Sequence, residues 1–119
     1  MLHLNASCRY FYYKGIADMR KVAYSLSGLV RNEMNQDVLS GDVFIFIGKR
    51  GNKIKLLQWD SDGFALYEKG LERGSFERPA ADSDGHFHIS AQQLQYILQG
   101  VVLKSIQHTK RFSLSPTTV

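Results

Sequence analysis

The sequence predicts an α+β fold: a mainly antiparallel β-meander sheet packed against an N-terminal helix, with a short C-terminal helix. Three observations carry this reading. Between Asp42 and Pro79, three apolar-rich runs are separated by the turn signals Lys49-Arg50-Gly51-Asn52 and Asp60-Ser61-Asp62-Gly63. That alternation is the pattern of an antiparallel meander. Upstream, Met19, Val22, Ala23, Leu26, Leu29, Val30 and Met34 recur at helical spacing. Downstream, Ser90 and Gln93 have the spacing of a capping box, ahead of Leu94, Ile97 and Leu98.

Each element follows from its residues. Arg9 to Lys14 is aromatic-rich and favours a strand, which Gly15 ends. Asp18 is placed to cap a helix running to about Met34, with Arg20, Lys21 and Arg31 off its apolar stripe. Val43 to Ile47 is continuously apolar, as suits a central strand covered on both faces. In the next strand, parity puts Ile54 and Leu56 on one face, and Lys53, Lys55, Leu57 and Trp59 on the other. Phe64 to Lys69 is the third strand of the meander. The Asp60–Gly63 turn is expected to use Gly63 for its positive φ. His86 to Ile89 forms a short strand, and a helix from Ser90 ends at Gly100 and closes an edge or end of the sheet.

A length of 119 residues fits one domain, placed at 1–103, with a basic polar tail at 104–119. The single cysteine, Cys8, cannot form an internal disulfide. There is no secretory pattern and no stretch suited to crossing a membrane, so the expectation is a soluble cytoplasmic protein.

The formal net charge is +4, and its distribution says more than its sum. Val43 to Trp59 holds four basic residues and no acid, whereas seven of the 11 carboxylates lie between Asp60 and Asp84. Lys49 and Arg50 at a hairpin tip, with Lys53 and Lys55 on the outgoing strand, project charge from a stiff ribbon. Such a ribbon can enter a DNA groove and gain affinity from phosphate contacts. Arg20, Lys21 and Lys69 are supporting charges. The alternative is a charged loop that keeps one end of the sheet soluble. Trp59 could stack on a base if exposed, or lie in the core.

Catalytic and metal chemistry is poorly supported. His86 and His88 share a strand face with Asp82 and Asp84 nearby, but zinc needs more ligands at defined geometry. Asp60, Asp62 and Glu68 could be a metal-binding set, yet a tight turn alone accounts for the two aspartates. Cys8 has His3 close in sequence but no surrounding motif. There is no phosphate-binding loop or dinucleotide fingerprint, and no cofactor is expected.

Gly15-x-x-Asp18-Met19-Arg20-Lys21, Gly41-x-x-Phe44-x-Phe46 and Lys49-Arg50 occur in series. They are followed by Lys55-x-Leu57-x-Trp59-Asp60-x-x-Gly63-x-x-Leu66-x-x-Lys69 and Leu71-Glu72-x-Gly74-x-Phe76-x-x-Pro79. This series resembles the TnpB accessory protein, the second open reading frame, of the sixty-six family of bacterial insertion sequences. The match runs from about Gly15 to Gly100. The resemblance implies a non-catalytic protein that assists transposition. Its implied partners are the transposase and the other accessory protein of the element, with element DNA as a further one and no membrane. A module that contacts only transposase components, without DNA, is the alternative. Two positions depart from the family pattern. Gly70 stands where members commonly carry arginine, and Arg78 where an aromatic residue often precedes the proline.

Overall fold

The computed structural model describes residues 4, 7–80, 88–102 and 107–108. Its elements run β1 (Tyr10–Tyr12), α1 (Ala23–Glu33), β2 (Val43–Ile47), β3 (Lys53–Trp59), β4 (Phe64–Gly70), β5 (His88–Ile89), α2 (Ala91–Gln99), β6 (Val101–Val102) and β7 (Gln107–His108). The first five strands form one sheet in the order β4-β3-β2-β1-β5. The β2–β3 and β3–β4 pairs are antiparallel, as the meander predicts. β1 pairs parallel with β2, because α1 lies between them and returns the chain to the same end. No turn signal marks that crossover, so the mixed character of the sheet emerges only here. β6 and β7 form a separate antiparallel pair, within and beside the stretch expected to be a tail.

Strand parity divides the core into two layers. Val43, Ile45, Ile47, Ile54, Leu56, Tyr10 and Tyr12 pack with Leu94 and Ile97 of α2. Phe44, Phe46 and Leu57 pack with Leu26 and Val30 of α1. β2 is fully buried on both faces, as its unbroken apolar run requires. α2 therefore covers a sheet face instead of closing an edge or end: Leu94 and Ile97, one helical turn apart, point the same way into the layer beneath Ile45 and Leu56.

Three local expectations are corrected. α1 begins at Ala23, not Asp18, and its N-cap Val22 has no side-chain hydrogen bond. Asp18 is engaged in a separate turn: its Oδ1 accepts from the Arg20 backbone N–H at 2.9 Å. In the Asp60–Gly63 turn, Ser61 takes the positive φ of 51° in place of Gly63. The capping box at Ser90 and Gln93 is formed, and Gly100 ends α2 in the left-handed conformation. Among the described residues, no helix is long and apolar enough to cross a membrane.

Candidate nucleic-acid interface

The β2–β3 turn is built from backbone hydrogen bonds. Gly48 N–H donates to the Lys53 carbonyl at 3.1 Å, and Gly51 N–H to the Gly48 carbonyl at 3.0 Å. Gly51 adopts φ +77°, a conformation that a side chain would strain. The chain after β4 braces this turn from one side. Leu71 N–H donates to the Asn52 carbonyl and Phe76 N–H to the Gly51 carbonyl. The Arg78 guanidinium donates to the carbonyls of Gly48 and Lys49 and reaches the Tyr12 hydroxyl. Lys49 and Arg50 are exposed at the tip.

The Asp18–Lys21 turn lies against the other side. Ala17 forms a parallel bridge with Gly48. The Met19 side chain crosses Gly48 so closely that a Cβ there would lie 2.6 Å from Met19 Cγ. Arg20 forms a two-point ion pair with Asp18, with Nε–Oδ1 at 3.0 Å and Nη2–Oδ2 at 2.9 Å. Arg20 is nonetheless 92% exposed. These hydrogen bonds from the Arg20 side chain and backbone lower the pKa of Asp18 to about 2. Lys55 Nζ donates to the Lys21 carbonyl at 2.7 Å and lies 3.7 Å from Glu68.

The seven basic residues singled out in the sequence therefore separate into groups. Lys49, Arg50, Arg20 and Lys21 share the hairpin end, and Lys53 is exposed at the start of β3 on the α1 side. Lys55 shares that side, but its side chain is only 7% exposed and its ammonium is occupied internally. It is a tether within the fold and not a contact group. Lys69 pairs across the ladder with Ile54, so it faces the α2 side, where Nζ donates to the Leu98 carbonyl at 3.2 Å. Arg78 joins the basic end. The signal for it was its place just before Pro79, where it adds a cation beside the turn.

Among the described residues, the members of the rival sets lie apart. Glu68 is four residues along β4 from Phe64, about 14 Å by strand rise, with the Asp60–Asp62 turn farther still, and it reaches toward Lys55. His88 is exposed beside Phe11, with ring centroids 5.2 Å apart. His3, Asp82, Asp84 and His86 lie outside the described residues. Among the described residues, no three His, Cys, Asp or Glu side chains are placed to hold a metal. Trp59 is half-buried, edge-to-face with Phe64 at 5.1 Å, at the sheet end opposite the basic turn. A cleft of about 540 Å³, missed in the sequence, is lined by Arg9, Phe11, Tyr13, Lys14, Glu33 and His88. In this lining Arg9 is bound to Asp42, and the Glu33 carboxylate accepts from the Tyr13 hydroxyl at 3.3 Å.

Comparison with known proteins supplies the setting. The family described as IS66 Orf2 like protein matches residues 8–108. The chain belongs to the IS66 Orf2-like family. It is similar to the uncharacterized protein y4hO of Sinorhizobium fredii, with 34% identity over 93% of this chain and 96% of that protein. It is also similar to the uncharacterized protein y4jC of the same organism, with 32% identity over 71% of each chain. No solved structure matches. Membership of the IS66 Orf2-like family makes this an insertion-sequence accessory protein, in keeping with a non-catalytic role.

Proposed function

We propose that this accessory protein assists transposition by binding DNA, or the nucleoprotein complex of the transposase, through its basic hairpin end. The observation that carries this reading is the docking of the Asp18–Lys21 turn against Gly48. It supports a surface in which Arg20 and Lys21 join Lys49, Arg50 and Lys53. The hairpin is held on both sides, so the charges are presented with little ordering cost on binding. Phosphate recognition of this kind gives affinity without base reading.

The test is binding of the full chain to element-end DNA across a salt series. The expected result is an affinity that falls steeply with salt and is weakened when Lys49 and Arg50 are both replaced by Glu. Absent or salt-independent binding overturns the proposal.

A second reading, a module that contacts only transposase components, is favoured by a different observation. Ile16, Val22 and Tyr24, which flank the same turn, are 63%, 61% and 80% exposed. Exposed apolar side chains that gather into one contiguous patch mark partner contacts. Co-purification with the transposase after nuclease treatment, lost on replacing Tyr24 and Val22 by Ser, would favour this reading over the first.

A further inference from the structure

β4 is a terminal strand of the sheet, and its seven residues are paired with β3 along their whole length. The hydrogen bonds at the two ends of this hairpin, Asp60 N–H to Gly63 O and Leu71 N–H to Asn52 O, fix which residues bond inward. Residues 63, 65, 67, 69 and 71 face β3. The backbone groups of Phe64, Leu66, Glu68 and Gly70 therefore point outward, away from β3. Among the described residues, no strand pairs with that side.

Edge strands are usually blunted by bulges, prolines or outward-reaching lysines. β4 contains no proline and no positive-φ residue. Its two charges are drawn back into their own fold: Lys69 bonds the Leu98 carbonyl, and Glu68 reaches toward Lys55. At its centre, Leu66 and Tyr67 are each 37% exposed.

We propose that β4 is the dimerisation edge of this protein, pairing antiparallel with β4 of a second copy about a two-fold axis at Leu66. This register is chosen by the residues. It places Leu66 opposite its own copy and Phe64 opposite Glu68, and every outward-facing backbone group in those pairs meets another. Tyr67 then lies opposite Ala65 of the second copy, and the two tyrosines are diagonal neighbours, within reach of each other. The two Glu68 side chains stand about 14 Å apart along the strands. Shifting the axis to Tyr67 would instead bring them to neighbouring diagonal positions, where like charges repel. The two five-stranded sheets become one sheet of ten, with both α1 layers on the same side.

The test is sedimentation velocity of the full chain over roughly micromolar to millimolar concentration. A reversible dimer is expected. Leu66→Pro removes an outward N–H without touching the β3–β4 ladder, and the two-fold axis doubles the loss. It should raise the dissociation constant at least about tenfold, with the far-ultraviolet circular dichroism retained. Leu66→Lys, which sets two ammonium groups across the axis, should do the same and decides the matter if the proline variant does not fold. A chain that is monomeric throughout, or a dimer indifferent to a folded variant at Leu66, overturns the proposal.

Discussion

Lys55 Nζ donates a hydrogen bond to the backbone carbonyl of Lys21 across 2.7 Å, joining the middle of β3 to the turn that precedes α1. A lysine expected to face solvent is thus a strut between two segments 34 residues apart. Its ammonium is almost wholly buried, and a buried charge is tolerated only where acceptors surround it. Lys55→Met keeps the stem but leaves the Lys21 carbonyl without its donor. The expected cost is about 1–3 kcal/mol, read as a lower denaturant midpoint with an unchanged m-value.

Lys53 and Lys69 sit near the same end of the β3–β4 ladder but on opposite faces of the sheet. If the basic end binds phosphate, the two lysines must differ. Lys53→Ala should weaken DNA binding and reduce the slope of log affinity against log salt by about 1. Lys69→Ala should leave that slope unchanged, because its ammonium is spent on the Leu98 carbonyl of α2. Fluorescence anisotropy across a salt series reads both. Equal effects from the two substitutions would remove the face assignment.

Much of this was legible because period-2 parity is a strong constraint. Phe44 and Phe46 against Val43, Ile45 and Ile47, and Lys55 and Leu57 against Ile54 and Leu56, fell on the two faces as their spacing demands. The Ser90–Gln93 cap was equally local and equally readable. The parallel β1–β2 pair and the position of α2 were not, because both depend on where a connection returns and not on the residues within an element. The site divided in the same way. Sequence placed Lys49 and Arg50 at a hairpin tip, but the fate of a lysine depends on acceptors far along the chain. For Lys55 and Lys69, those acceptors are 34 and 29 residues away.

Gly48 should tolerate no side chain while Met19 lies across it. A Cβ built there meets Met19 Cγ at 2.6 Å, near the root of the side chain and not at its flexible tip. Gly48→Ala is therefore expected to push the Asp18–Lys21 turn off the hairpin and to destabilise the fold by about 1–3 kcal/mol. Combining it with Met19→Ala should recover part of that loss, since the obstructing atoms are gone. A thermodynamic cycle over the four proteins measures the coupling, which would be near zero if the contact were unimportant.

Loss of the Asp42 charge is expected to weaken the fold in acid. Burial on its own would push this carboxyl up. The hydrogen bonds from the Arg9 backbone and guanidinium and from Ser40, together with the Arg9 charge, outweigh burial and hold it below the usual carboxylate range. Its side chain is 9% exposed, and it joins the residue before β1 to the residue before β2. A carboxyl whose pKa is lower in the folded than in the unfolded chain stabilises the fold fully above the unfolded value. That contribution is lost as pH falls through the folded value. Asp18, lowered to about 2, titrates in the same direction but lies at the surface, where solvent screens it, so Asp42 should dominate. Asp42→Asn is expected to cost about 1–3 kcal/mol at neutral pH, and the gap from the parent chain should close below about pH 4. Denaturant midpoints measured from pH 7 down to about pH 2.5 check this. A constant gap across that range would show that the Arg9–Asp42 pair contributes through shape and not through charge.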